Sequence, residues 1–293
     1  MAQHRDAPRR NWTVKGLLEW TTQYFAEKGL GAPRLDAEVL LAHVLGKDRL
    51  YLYLNLERPV TPSERADYRA AVLRRARREP IALITGEKEF WSFSFAVAPG
   101  VLIPRPDTEA LVERVIEKMA GLARPRFLEI GVGSGAISIS LLRENQHALG
   151  VGTDISTAAL HLARQNAMRA GVSSRLDLVA CDLFSALRPG RYFHIVCSNP
   201  PYIPTRDISA LEPEIASFEP IAALDGGKDG LSVIRRIARA ASEFLAPGGF
   251  IALEVGDHQA QDVAGILEQY TGCRETMVYK DLAGKDRVVM GSV

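Results

Sequence analysis

The stretch Ser198-Asn199-Pro200-Pro201-Tyr202-Ile203 follows directly on the apolar run Phe193-His194-Ile195-Val196-Cys197, so an amide, two ring-locked residues and a phenol arrive together at the end of a strand. The Asn199 side chain offers a carbonyl acceptor. Pro200, which has no N–H, offers a second carbonyl held by restricted torsions. Two acceptors converging on one NH₂ group fix its plane and direct its lone pair, and Tyr202 adds a ring that can stack on a flat group. This constellation suits a planar, conjugated NH₂: the amide of glutamine or asparagine, or the exocyclic amine of adenine or cytosine. Both are weak nucleophiles, and what their methylation asks of a protein is placement in line with an already activated methyl group. Asn199, Pro200 and Tyr202 are therefore the candidate catalytic residues, and Pro201 completes the set that would hold the substrate.

A cofactor-type pattern precedes it. The segment RFLEI leads into Gly131-Val132-Gly133-Ser134-Gly135, a G-x-G-x-G spacing preceded by Glu129 and unlike the G-x-G-x-x-G of dinucleotide-binding turns. A dinucleotide asks for a pyrophosphate cradle at a helix N-terminus. S-adenosylmethionine has no phosphate and asks for close backbone approach to its methionine part. Asp154 ends the next strand segment, where a carboxylate can accept from both ribose hydroxyls, and Asp182 ends the one after, placed to accept from an adenine amino group with Leu183 beside the ring. Either aspartate alone reads as a helix N-cap. The pair together with the glycine loop reads as an S-adenosylmethionine site, with NAD as the alternative ligand, and Asn199-Pro200-Pro201-Tyr202 favours the methyl donor. Asn199 then belongs to the cofactor-binding set as well, and no metal is expected.

The elements that must position these residues follow from periodicity. From about residue 107 helix and strand alternate, with strand segments RFLEI, HALGVGTD, RLDLVACD, HIVCSN, GFIALEVG, ETMVYKDL and RVVMG. Helical segments are expected between the first five, and the last two follow each other through the turn-like AGKD. That is the signature of a doubly wound, mostly parallel sheet with an antiparallel strand at its end, in which ligands bind beyond the carboxyl ends of the strands. Residues 12 to about 80 read as helices. Thr13 caps one carrying Val14, Leu17, Leu18, Thr21 and Phe25 on one side, Gly46 stops the one in DAEVLLAHVLG, and Thr61-Pro62-Ser63-Glu64 is a capping box. Arg69 and the run RRARRE place five arginines between positions 69 and 79, either a solvated face or a docking surface for something acidic. Between Phe90 and Val97 the period is two, reading as a strand that Pro99-Gly100 turns into Val101-Leu102-Ile103. The expected division is a helical domain over 1–85, a β-hairpin linker over 86–106 and an α/β domain over 107–293.

Composition narrows the classes. Lys+Arg 36 against Asp+Glu 35 leaves a net charge of +1, without the basic excess of a protein built to grip nucleic acid. The three cysteines, Cys181, Cys197 and Cys273, are too few and scattered for a disulfide framework or zinc site, and the two in apolar runs read as buried thiols of a reducing compartment. MAQHRDAPRRNW has charges without a following apolar segment, and no apolar run approaches the roughly 20 residues that span a bilayer. A cytoplasmic monomer with no membrane partner and no stable nucleic-acid partner is expected.

On VLIPRPDTEALVE (101–113), LEIGVGSGAISISL (128–141), SNPPYIP (198–204), FEPIAALDGGKDGL (218–231) and KDLAGKDRVVMG (280–291), the chain resembles the bacterial release-factor glutamine N5-methyltransferases, the PrmC/HemK family. RLDAEVLLAHVLG fits that family's substrate-docking domain. The resemblance implies a class I, Rossmann-like methyltransferase fold, S-adenosylmethionine as donor, and peptide-chain release factors as partners, methylated on the glutamine of their Gly-Gly-Gln tip. It implies that Gly131–Gly135, Asp154, Asp182, Leu183 and Asn199 contact the donor, and that Asn199, Pro200, Pro201 and Tyr202 hold the glutamine amide. Arg105 and Glu109 would shape the wall of the site. Glu129 stands where many relatives have Asp, and Ser217 replaces a frequent Arg. A glutamine of ribosomal protein L3 and an adenine or cytosine of nucleic acid are the alternative substrates. A module that binds the donor without turnover would have no need of Asn199 and Tyr202.

Overall fold

The structure, a computed structural model, describes residues 12–293. The charged stretch over 1–11 lies outside the described residues, and with it most of the segment on which the expectation of no signal peptide rests. The chain divides into two compact units, Met1–Gly86 and Glu87–Val293.

The first unit is helical: α1 (Val14–Glu27), α2 (Pro33–Leu45), α3 (Arg49–Leu54), α4 (Pro62–Ala76) and α5 (Ile81–Thr85). Thr13 Oγ1 accepts from Gly16 N at 3.2 Å, and α1 buries Val14, Leu17, Leu18, Thr21 and Phe25, the side picked out by its sequence spacing. At α4 both arms of the capping box close, Glu64 N to Thr61 Oγ1 at 3.3 Å and Thr61 N to Glu64 Oε2 at 2.8 Å, so two backbone donors orphaned by the helix start are satisfied. Gly46 ends α2 with φ +61.

The arginines over 69–79 divide: Arg69, Arg74 and Arg77 are exposed, while several are tied within the unit. Arg75 Nε donates to buried Asp36 at 2.7 Å, Arg74 Nε to Glu79 at 2.8 Å, and Arg78 to the carbonyls of Lys28 and Gly29. Three of the five are thus spent on ties within this unit. The sequence shows the charges but not the carboxylate and carbonyls that meet them.

The second unit opens with the hairpin β1 (Glu87–Phe90) and β2 (Phe93–Ala96). The period-two segment is therefore not one strand: a hairpin turn falls at Trp91-Ser92, with φ +48 and +54, and the expected turn at Pro99-Gly100 follows the second strand, closed by Val101 N donating to Ala98 O at 3.3 Å. Two non-glycine residues in the left-handed region are unexpected from sequence. Glu109 Oε1 accepts from Trp91 N at 2.9 Å and holds this turn. Phe90 and Phe95 are buried against the helices that follow.

Then come α6 (Glu109–Met119), β3 (Arg126–Ile130), α7 (Ala136–Glu144), β4 (Leu149–Asp154), α8 (Thr157–Arg169), β5 (Leu176–Ala180), β6 (Phe193–Ser198), α9 (Pro213–Ala216), α10 (Ser232–Ala241), β7 (Leu245–Glu254), α11 (Ala260–Thr271), β8 (Glu275–Lys280) and β9 (Asp286–Ser292). The seven-stranded sheet runs β5-β4-β3-β6-β7-β9-β8, parallel up to β7 and antiparallel for β9 against both neighbours. This is the doubly wound, mostly parallel sheet read from the alternation of elements, in the class I methyltransferase form that the resemblance implies. One expectation fails in detail. Residues 181–192 between β5 and β6 form turns and no helix, because only twelve residues, including Pro189-Gly190, bridge two strands. Chain order reverses between β3 and β6, the switch point at which open α/β sheets bind ligands. The glycine loop leaves β3 there and Asn199 leaves β6.

Candidate active site

A cavity of about 460 Å³ lies over this sheet edge. Gly131, Val132, Gly133 and Ser134 line it, with Asp154, Asp182 and Leu183, and so do Asn199 and Pro201. Four consecutive strands thus bring their end residues to one space.

The glycine loop is already hydrogen-bonded within the chain. Gly131 N and Val132 N donate to Thr153 O at 2.8 and 2.9 Å, Gly133 N to Asp154 Oδ2 at 2.9 Å, and Gly135 N to Val132 O at 2.8 Å. Four of five amides are therefore spoken for, and the loop does not present the free N–H cradle that a pyrophosphate requires. Gly131 and Gly133 have φ +75 and +55, and a Cβ at either would meet no protein atom within 4 Å. Space beside these two backbones is held open for a ligand that approaches the main chain closely. Gly135, with φ +85, does not line the cavity. A Cβ there would stand 2.8 Å from Ile139 Cδ1 and 3.3 Å from Ala163 Cβ, so this glycine allows α7 and α8 to approach.

Asp154 Oδ1 accepts from Ser156 N at 2.9 Å while Oδ2 takes Gly133 N, so the carboxylate that would meet ribose hydroxyls also fixes the loop. Asp182 is paired: Arg236 Nη2 donates to its Oδ2 at 2.6 Å. Arg236 of α10 also borders the cavity and was not legible as a site residue. Leu183 adopts φ +52, an uncommon conformation for a branched side chain, beside Cys181, which borders the cavity and is not the buried strand thiol its sequence context implies.

Asn199 Nδ2 donates to Thr108 Oγ1 at 3.0 Å, leaving Oδ1 as the acceptor. Pro200 is buried and does not line the cavity, and its carbonyl accepts no hydrogen bond from the described residues. Tyr202 is also off the cavity wall. Its hydroxyl donates to Glu254 Oε1 at 3.3 Å and its carbonyl accepts from Gln259 Nε2 at 3.0 Å. Burial first, then the negative Glu254, pushes the phenol upward in pKa.

Further polar residues lie under and beside the site, of which Glu129 and Arg105 are marked by their sequence segments and the others are not. Glu254, at the end of β7, is fully buried. Burial raises its pKa to about 7 against the lowering by the Thr108 hydroxyl and Arg287. Arg287 of β9 binds Asp107 and Asp281, each at 3.2 Å. Glu129, behind the glycine loop, accepts from Ser138 N at 2.9 Å and from the Ser138 hydroxyl, and burial pushes it up to about 8. Arg105 reaches the cavity and donates to buried Glu219 at 2.5 Å, joining the IPRPDTE and FEP segments. Asn166 of α8, completely buried, accepts from Ala96 N at 2.8 Å and donates to Ala96 O at 3.0 Å and Ser134 O at 2.9 Å. It ties hairpin strand β2 to the glycine loop. No cluster of three or more metal-ligating side chains occurs among the described residues, and none of their helices is long and apolar enough to cross a membrane.

Family models, curated relatives and a solved structure are similar to this chain. The family model described as the PrmC N-terminal domain matches residues 16–86, and the one described as the methyltransferase small domain matches residues 106–213. A release factor glutamine methyltransferase of Geobacter sulfurreducens is 45% identical over 282 residues, 96% of this chain and 97% of the relative. One of Rhodopirellula baltica is 38% identical over 282 residues, 95% of each chain. Among solved structures, the hMettl16 catalytic domain in complex with the MAT2A 3′UTR hairpin 6 matches with a TM-score of 0.57 at 14% identity, covering 74% of this chain and 81% of that one, a likeness of fold alone.

Proposed function

The chain belongs to the release factor glutamine methyltransferases, and from that premise we propose how its own residues carry out methyl transfer from S-adenosylmethionine to the side-chain amide nitrogen of the glutamine in a release factor's Gly-Gly-Gln tip. The observation that carries this reading is Asn199, whose NH₂ is engaged by Thr108 and whose carbonyl oxygen is left to accept at the cavity edge.

S-adenosylmethionine, when bound, supplies a sulfonium-activated methyl group. Gly131, Val132, Gly133 and Ser134 would flank its methionine part, Asp154 would accept from the ribose hydroxyls, and Asp182 with Leu183 would meet the adenine. Asn199 Oδ1, at the cavity edge, would accept one N–H of the substrate amide, and the Pro200 carbonyl, off the cavity wall but engaged by no described donor, would accept the other, fixing the NH₂ plane so that its lone pair faces the methyl carbon. The donor would keep the C–S electron pair on its sulfur as it gives up the methyl group, and the amide nitrogen would return to neutral by losing one proton to water. Pro201 and Tyr202 stiffen the loop, and the burial of Tyr202 over Glu254 assigns its ring to support of the loop more than to open stacking. The helical unit is proposed to dock the release factor, with division at 1–85, 86–106 and 107–293, in a cytoplasmic monomer.

The test offers the purified chain S-adenosylmethionine with unmethylated release factor, ribosomal protein L3 or DNA, scored by mass spectrometry. One added methyl on the Gly-Gly-Gln glutamine supports the reading. Methyl on L3 alone reassigns the substrate, and methyl on DNA alone overturns the protein-substrate reading.

A further inference from the structure

S-adenosylmethionine carries a sulfonium, an ammonium and a carboxylate. The residues placed around it above meet its adenine, its ribose and the flank of its methionine part, and leave the carboxylate without a partner. A carboxylate only accepts hydrogen bonds, and a cationic donor serves it best. The glycine loop has little to offer, since the amides of Gly131, Val132, Gly133 and Gly135 already donate within the chain. Two cationic side chains border the cavity, Arg105 and Arg236. Arg236 is committed to Asp182 at 2.6 Å, at the end where the adenine would lie. Arg105 remains.

Its place in the fold sets it at the other end. Arg105 precedes the short turn over Pro106–Thr108, and its carbonyl accepts from Thr108 N at 3.1 Å. Thr108 Oγ1 in turn accepts from Asn199 Nδ2 at 3.0 Å. Arg105 is thus one turn from the residue that meets Asn199, where the donor's methyl group must arrive.

The guanidinium is anchored on one side only. Its Nη2 donates to Glu219 Oε1 at 2.5 Å, and the Glu219 side chain is 1% exposed against 32% for Arg105. The Nε and Nη1 groups of Arg105 meet no acceptor among the described residues.

We propose that Arg105, held by Glu219, binds the carboxylate of the donor's methionine part. The proposal rests on the reading of this cavity as an S-adenosylmethionine site.

The pair itself argues for a ligand. Burying a carboxylate is costly, and a pair kept for stability alone would satisfy both of its oxygens. Glu219 Oε2 is buried and accepts from nothing among the described residues. What Glu219 achieves is to fix one edge of a planar fork whose remaining donors match a carboxylate in a two-bond geometry. The IPRPDTE and FEP segments, more than a hundred residues apart in the chain, then meet to build one subsite.

Calorimetry tests this without turnover. The ligands are S-adenosylmethionine, its decarboxylated form, which lacks the carboxylate alone, and 5′-methylthioadenosine, which lacks the whole amino-acid part. Wild type should bind S-adenosylmethionine roughly 10- to 100-fold more tightly than the decarboxylated form, the range for a charge-assisted pair. In Arg105→Gln that preference should collapse to within about threefold, as a cycle between side chain and ligand group requires. Binding of 5′-methylthioadenosine should stay as in wild type. Arg105→Lys, which keeps the charge and loses the fork, should retain part of the preference. If Arg105→Gln does not fold, because Glu219 is left charged and unpaired, the double variant Arg105→Gln/Glu219→Gln carries the same cycle. Equal affinity of wild type for the two donor forms overturns the proposal, and so does an undiminished preference in either glutamine variant. A parallel loss of 5′-methylthioadenosine binding overturns it too, and makes Arg105 a support of the cavity wall. Wild-type donor binding with a raised KM for release factor would assign the arginine to the protein substrate instead. No binding of S-adenosylmethionine to wild type would remove the donor site itself, a separate failure.

Discussion

Asn166 and Ala96 are 70 residues apart in the chain and joined by a pair of hydrogen bonds, Ala96 N to Asn166 Oδ1 at 2.8 Å and Asn166 Nδ2 to Ala96 O at 3.0 Å. The side-chain amide thereby pairs with β2 as a neighbouring strand would. Its second N–H reaches Ser134 O at 2.9 Å, so the glycine loop and the hairpin share one anchor.

Replacing that anchor has a definite cost. Asn166→Ala strands the Ala96 N–H and two carbonyls, at about 3 kcal/mol in total. Asn166→Asp should be no better, because its carboxylate would face the Ala96 and Ser134 carbonyls. Urea unfolding measures the loss, and calorimetry should show weaker S-adenosylmethionine binding in both variants. A wild-type urea midpoint for Asn166→Ala would mean the anchor contributes nothing.

Asn199→Ala separates chemistry from binding. It removes the Oδ1 acceptor while the glycine loop, Asp154 and Asp182 stay in place, so turnover should fall by a factor of roughly 10² or more and donor affinity far less. Single-turnover rates and calorimetry on the same preparation check this. Equal losses in both would assign Asn199 chiefly to the cofactor.

Gly135→Ala tests the loop by geometry. The added methyl stands 2.8 Å from Ile139 Cδ1 and 3.3 Å from Ala163 Cβ at φ +85, so both side-chain contact and backbone torsion oppose it. Destabilisation of about 2–3 kcal/mol is expected. Gly133→Ala, whose Cβ meets no protein atom, should cost only its φ +55 in stability and weaken S-adenosylmethionine binding by narrowing the cavity. A thermal melt of the two, with and without the donor, distinguishes them. Equal behaviour would contradict the division between a packing glycine and a cavity glycine.

Local rules made the frame legible. The alternation of elements, the Thr61–Glu64 capping box, the glycine loop and the residues ending β4, β5 and β6 are all set by neighbours within a turn or a strand. What escaped was set across the fold. The turn at Trp91-Ser92 carries no glycine, and Glu109, 18 residues on, holds it. Arg75 looked like one of a run of surface charges until Asp36, 39 residues back, met it. Glu254 and Asn166 read as ordinary strand and helix positions, since nothing beside them in the chain announces what they touch. For Glu254, a carboxylate ending an apolar strand was the available signal; Asn166 and Arg75 sit among other polar residues of their helices and had none.

Glu129 offers a stability test with a fixed sign. Burial against α7 lifts its pKa from an ordinary 4.5 to about 8, although Ser138 N and the Ser138 hydroxyl both favour the ionised form. Between those two values the unfolded chain has released this proton and the native chain still holds it. Stability therefore falls as pH rises through the window, and the full penalty, of order 3–5 kcal/mol, is present above about pH 8. Other carboxylates with depressed pKa values, such as Asp229 near 2, have finished titrating well below this range and leave the slope to the buried groups. Glu129→Gln keeps a carbonyl to accept from Ser138 N and has nothing to ionise. At pH 5 the variant should unfold at or slightly below the wild-type urea midpoint, and at pH 9 above it, the difference growing steadily in between. A difference that does not change with pH would show that Glu129 ionises in the native protein as readily as in the unfolded chain.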